Sequence, residues 1–170
     1  MLKVYATEAR LTVPVIHLTA DGQASNDPTV ARPLVKVRFS WLRPYATPDG
    51  RTHIDGLTEI LALIDTGADY SVLSDRYAAG AGPAVEVFDH TALGSVESTT
   101  SHDISLYFPP ADIITTAGVL LSSAIKRESP FQMILGRHFL KATRFIYDGP
   151  AGIRELSFIP QEELDALGVK

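Results

Sequence analysis

The chain has 170 residues, of which 45% are apolar and 21% charged, and a formal net charge of −5. That balance excludes an intrinsically disordered polymer and gives nucleic-acid binding no electrostatic support; a single domain over residues 1–170 with a substantial core is expected. Cysteine is absent, which removes disulfides, thiolate nucleophiles and cysteine-based zinc sites together and fits a reducing compartment.

No run of residues approaches membrane-spanning length, and the first twenty residues hold no continuous apolar stretch of the signal-peptide kind. A soluble, cytoplasmic protein without a membrane partner is the expectation. Leu11 to Leu18 is β-prone, and Pro14 makes it an edge or broken strand. Ala20 to Thr29 gathers Asp, Gly, Ser, Asn and Pro and predicts a loop. Val35, Val37, Phe39 and Trp41 alternate with Lys36, Arg38 and Ser40, the period of a half-buried strand. Arg43 to Gly56, with two prolines and two glycines, predicts a long hairpin loop. It leads into Leu61 to Ile64, apolar at every position and so expected to be covered on both faces.

Beyond that run, Ser71 to Leu73 is extended, and Ser74 is placed to cap a short helix over Asp75 to Ala79 that Gly80 and Gly82 would end. Val85 to Phe88 predicts a short strand, and the small polar run Thr91 to Thr100 predicts the tip of a mobile hairpin around Gly94. Ile104 to Phe108 and Ile113 to Leu121 are strands separated by Pro109-Pro110, and Lys126 to Pro130 is a turn. Gln132 to Leu135 is strand-like, and Gly136 opens a helix over Arg137 to Thr143. Arg144 to Tyr147 and Ile153 to Ile159 flank a Gly/Pro-rich hairpin turn, before a terminal helix over Glu162 to Leu167. Many short strands with little helix predict an all-β barrel or sandwich.

The chemistry concentrates at Leu63-Ile64-Asp65-Thr66-Gly67-Ala68-Asp69. A carboxylate at the end of a buried strand is costly unless something uses or satisfies it. Gly67 permits a tight turn or the close approach of a ligand, and Thr66 adds a hydroxyl. An ordinary strand end capped by turn-forming residues accounts for the tripeptide equally well. The five histidines are scattered without metal-ligand spacing, and neither a nucleophile elbow nor a phosphate-binding loop occurs, so no metal or cofactor is expected. Two carboxylates about 3 Å apart share a proton, so that one serves as base and the other as acid. The chain contains one Asp-Thr-Gly, and the sequences around Asp89, Asp112 and Asp148 supply no second. A two-fold homodimer would place each Asp65 beside its copy.

Here the sequence resembles the retroviral-type (retropepsin-like) aspartic proteases, in a bacterial-like variant. Leu63 to Asp69 is similar to the family's active-site stretch, and Met133-Ile134-Leu135-Gly136-Arg137 to its second signature. Arg32-Pro33-Leu34-Val35 resembles a segment near the N-terminus of viral members. The resemblance implies a closed β-barrel with a core of about 30–147 and a short helix after the second signature. A C-terminal hairpin and short helix over 144–170 would complete it. It also implies a cofactor-free endopeptidase acting on peptide or protein substrates as a homodimer.

Residue roles follow from the resemblance. Asp65, with Thr66 and Gly67, would form the catalytic turn, Thr66 bonding across the dimer. Ala68 and Asp69 would contact substrate, as would a flap tip over Ala92, Leu93, Gly94 and Ser95. Ile134, Leu135, Gly136 and Arg137 would support the turn, Arg137 pairing with Asp69 and Arg32 reaching from the other protomer, the alternative for either arginine being a solvated surface charge. Ile64, Val72 and Ile134 are candidate pocket residues, or equally core. The chain departs from viral members in its longer 43–56 loop, its single flap glycine, unmatched residues before Val30, and a C-terminus that continues past the strand viral dimers interleave. A non-catalytic peptide-binding or dimerisation module on the same fold is the alternative.

Overall fold

Period-two alternation builds the strand from which the barrel hangs. The computed structural model describes the backbone of residues 3–6, 12–25, 27, 31–92, 95–148 and 153–168, and the side chains of 12–25, 27, 31–85, 99–146, 155–160 and 162–168. Three short strands come first, β1 (Lys3–Ala6), β2 (Thr12–Pro14) and β3 (Ile16–Leu18). The β-prone run around Pro14 is thus broken in two, because proline cannot donate to a ladder. β4 (Arg32–Ser40) buries Leu34, Val35, Val37 and Phe39 and leaves Lys36 exposed.

The 43–56 loop carries its own two-stranded ladder, β5 (Tyr45–Ala46) against β6 (Thr52–His53). β7 (Thr58–Ile64) then returns antiparallel on β4, with Leu34 opposite Leu63 and Phe39 opposite Thr58. Next come β8 (Val72–Ser74), β9 (Glu86–Ala92) and β10 (Ser95–Phe108). β9 and β10 form a hairpin in which Ala92 faces Ser95. β11 (Ile113–Ser122), β12 (Met133–Leu135) and α1 (Arg137–Leu140) follow, then β13 (Thr143–Asp148), β14 (Ile153–Phe158) and α2 (Gln161–Ala166).

The pairing runs β11-β8-β12-β7-β4-β10 and returns to β11, closing a six-stranded barrel. Closure removes the unpaired edges an open sheet would expose. With 47% strand and 11% helix the chain is all-β. Ile60, Ala62, Ile64, Leu73, Met133 and Leu135 point into one core with Val35, Val37, Phe39, Leu106, Phe108 and Phe139. The alternate residues Leu61 and Leu63 lie on the opposite face, against a second cluster built on Leu34, Ile125 and Phe131. An all-apolar strand with both faces covered is the result.

Several local expectations are corrected. The Asp75 segment is a single 3-10 turn, Asp75–Tyr77, and Ser74 does not cap it; its hydroxyl donates to the Ile125 carbonyl at 3.4 Å instead. The helix after Gly136 ends at Leu140, because Thr143 enters β13 and its hydroxyl binds the Leu140 carbonyl at 2.8 Å. The 91–100 run belongs mostly to β9 and β10, whose cross-strand ladder overrides its weak propensity. The strand at 104–108 is the end of a strand beginning at Ser95. Lys3–Ala6 pairs with β11 from Ala6–Ile113 to Lys3–Thr116, a non-local pairing with no sequence signal of its own.

The C-terminal hairpin does not join the barrel ladder. β14 lies between β13 and β2 in a separate three-stranded sheet. Phe158 nevertheless reaches the barrel core, its ring 4.8 Å from that of Phe108 and 6.1 Å from that of Phe139.

Candidate active site

A parallel pair of strands ends beneath the Asp-Thr-Gly turn. β12 runs parallel to β7 with Ile134 beside Leu63 and Leu135 beside Ile64, and antiparallel to β8 with Ile134 beside Val72. The Asp65 amide continues this ladder by donating to the Leu135 carbonyl at 3.1 Å. The chain then turns sharply. The Ala68 amide donates to the Asp65 carbonyl at 3.3 Å, and the Gly67 amide to Asp65 Oδ1 at 2.8 Å. The carboxylate is therefore oriented by its own turn, through a hydrogen bond that a glycine two residues on is free to supply. Asp65 is partly buried, and Thr66 and Gly67 are exposed.

The second signature lies directly behind. Arg137 N–H donates to the Ala68 carbonyl at 2.7 Å and His138 N–H to the Asp69 carbonyl at 2.9 Å. The first amides of α1 thus find their acceptors in the loop after Asp65 rather than in a side-chain cap. Gly136 is obligatory for this contact. A Cβ there would sit 2.3 Å from the Tyr70 carbonyl oxygen and 3.0 Å from that of Ala68. The Arg137 guanidinium binds the Asp69 carboxylate, both side chains remaining exposed. A surface ion pair of this kind orients more than it stabilises.

Ser71 is part of the arrangement although nothing in its sequence context marks it. It is buried, its hydroxyl accepts the Gly136 N–H at 3.2 Å, and its carbonyl accepts the Leu120 amide at 3.0 Å. It ties the loop after Asp65 to Gly136 and β11 together. Only its burial, a tertiary property, could have revealed it.

Of the candidate pocket residues, Ile64 is 4% exposed and belongs to the core. Val72 and Ile134 instead share the partly open outer face with Leu61 and Leu63. Alternation along β7 separates Ile64 from its neighbour Leu63. Arg32 is exposed, its guanidinium 5.8 Å from the centre of the Phe131 ring. Leu93 and Gly94 lie outside the described residues, as do the side chains of Ala92 and Ser95. Among the described residues, no group of three or more His, Cys, Asp or Glu could hold a metal ion, and no helix is long and apolar enough to cross a membrane.

The Asp-Thr-Gly turn on a buried strand, with Gly-Arg packed behind it in a six-stranded barrel, coincides with a match to the model of the retroviral aspartyl protease family over residues 29–145. The chain belongs to that family. Membership supports aspartic-protease activity in general terms. No curated protein matches the chain significantly. The family match ends at Phe145, inside β13, so β14 and α2 are additions to the matched region, as is the chain through β3.

Proposed function

We propose that the protein is an aspartic endopeptidase that hydrolyses peptide bonds with a water held between the Asp65 carboxylates of two protomers. The observation that carries this is Asp65 itself. It is partly buried at the end of a covered strand, with Oδ1 held by the Gly67 N–H at 2.8 Å, in a chain with no second Asp-Thr-Gly. Two such turns facing across a two-fold axis give a pair that keeps one proton between them. The ionised Asp65 takes a proton from water as the water attacks the peptide carbonyl; the protonated copy donates to the carbonyl oxygen. Collapse of the tetrahedral species then expels the amine, protonated by the pair.

Around this pair, Thr66 bonds across the axis, and Ala68 and Asp69 contact an extended substrate. The open face of Leu63, Val72 and Ile134 receives apolar side chains. The β9–β10 hairpin acts as a flap with Ala92, Leu93, Gly94 and Ser95 at its tip, closing over the substrate and excluding water. Arg32 serves the partner's site. The cytoplasm is the proposed compartment, in keeping with the absence of cysteine.

Asp65→Asn is expected to abolish cleavage of an unfolded protein substrate while leaving the thermal unfolding transition and the sedimentation coefficient unchanged; proteolysis at the wild-type rate would refute the assignment. Pepstatin-like mimics of the tetrahedral species should inhibit the wild type. A second reading, a peptide-binding module without turnover, draws support from the C-terminal sheet, in which β14 is flanked on both sides by strands of its own chain. A protein that is strictly monomeric at micromolar concentration and cleaves nothing would favour it.

A further inference from the structure

Resting on the protease reading above for the nature of its occupant, we propose that a cavity at the root of the β9–β10 hairpin is an exosite, which holds an apolar segment of the substrate polypeptide away from the Asp65 turn. The cavity measures about 410 Å³, within the range of ligand sites, about 300–1,000 Å³. Three stretches line it: Trp41 and Arg43 after β4, Pro83 and Val85 before β9, and Asp103 and Ile104 in β10. Its described lining residues include none of positions 65–69, nor Val72 or Ile134, so it is separate from the cleft proposed for the scissile bond.

The walls are fixed before anything binds. The Trp41 indole N–H donates to the Tyr77 carbonyl at 3.0 Å, and the ring meets those of Phe39 and His102 edge-on. His102 Nδ1 in turn donates to the Gly82 carbonyl at 2.9 Å, and the Val85 amide to the Ser101 carbonyl at 2.8 Å. A preformed cavity loses little ordering entropy when it is filled.

Its chemistry selects the occupant. Six large apolar or aromatic side chains are exposed among the described residues: Ile16, Leu42, Tyr45, Val85, Ile146 and Leu167. Single ones need no explanation, but three of the six gather here. Val85 lines the cavity, and Leu42 and Tyr45 bracket the lining residues Arg43 and Pro44. Trp, Tyr and Arg are also the residue types that carry most binding energy at protein interfaces. The ionic groups at the mouth are one of each sign, Arg43 and Asp103, 3.5 Å apart and 86% and 49% exposed. A ligand with net charge gains at one and loses at the other. A peptide amide instead offers its carbonyl to the guanidinium and its N–H to the carboxylate, while Trp41, Pro83, Val85 and Ile104 take an apolar side chain. Folded proteins bury most such side chains and unfolded ones display them, so the substrate class is unfolded polypeptide.

Trp41 is the sole tryptophan, so its fluorescence reports on this cavity. Titrating the full-length Asp65→Asn protein with the capped peptide acetyl-Leu-Phe-Leu-amide should give a saturable change. Val85→Asp, at a position 60% exposed and so tolerant of a polar side chain, should remove that change over the same concentrations. Leu167→Asp, outside the cavity, should retain it. In the active protein, Val85→Asp should raise KM for casein, an unfolded protein, at least roughly tenfold with kcat unmoved. KM for a six-residue peptide copied from a casein cut site should stay unchanged, because that peptide engages the Asp65 turn alone. No saturable fluorescence change, or one that Val85→Asp leaves intact, would overturn the cavity as a peptide site. Cleavage of casein by Val85→Asp at an unmoved KM, or an equal loss on both substrates, would overturn the exosite and leave the protease reading standing. Saturable binding that Val85→Asp removes, in a wild type that cleaves nothing, would support the peptide site and remove the protease reading.

Discussion

Gly136 and Ser71 determine whether the Asp-Thr-Gly turn holds its shape. A methyl group at position 136 meets backbone, the Tyr70 carbonyl oxygen at 2.3 Å, which cannot swing aside as a side-chain tip can. Gly136→Ala is therefore expected to destabilise by about 1–3 kcal/mol, read as a shifted urea midpoint, and to lower activity more than stability alone explains. Ser71→Ala leaves the buried Gly136 N–H without its acceptor, a cost of about 1–3 kcal/mol measurable by the same titration. By contrast, Asp69 and Arg137 are exposed, so a double-mutant cycle on stability should return a coupling below about 1 kcal/mol. Asp65, Gly136 and Arg137 were legible as residue types in a motif. Ser71 was not, because a serine between tyrosine and valine carries no pattern until the chain folds.

Among the elements, α1 is the clearest case of tertiary support. Four residues are far too few to form a stable helix alone, and the ring of Phe139, 1% exposed, anchors it between Phe108 and Phe158. Phe139→Ala should cost about 3–5 kcal/mol, seen in chemical denaturation, and should disturb the Arg137 end of the site.

On the outer face of β4 and β7, Glu59 accepts from Lys36 and Arg38. These bonds, Lys36 first, hold its carboxyl below the ordinary value of 4.5. A depressed acid contributes its stability above that value and loses it as pH falls through the lowered one. Glu59→Gln is thus expected to reduce the steepness of acid unfolding below pH 4.5 and to change little near neutrality. An unaltered acid limb would show that solvent screening cancels these pairs. Strands with strict alternation, such as β4, were legible in the sequence. The 14-residue β10 was not, because its polar half is held by the cross-strand ladder to β9 and, from Ser101, to β11 rather than by its own composition.

For the whole molecule, the proposed mechanism turns on half an active site lying in each chain. If the proposed pair forms, specific activity should fall on dilution through the dimer dissociation constant. Adding an equal amount of Asp65→Asn protein and allowing exchange should reduce wild-type activity to about half, since mixed dimers carry only one functional carboxylate. Undiminished activity in that mixture would mean that one chain suffices.

The sequence by itself determined the all-β class, the Asp-Thr-Gly turn and the Gly-Arg signature behind it. Each depends on local chemistry: period-two alternation, an aspartate ending an apolar run, a glycine where backbones meet. Only the tertiary structure decided which strands close the barrel, that Ile64 faces the core while Leu63 faces outward, and that the C-terminal hairpin pairs with β2 rather than ending as a free strand. Those outcomes depend on which distant partner offers an unfilled ladder or an uncovered face, and no window of neighbouring residues contains that information.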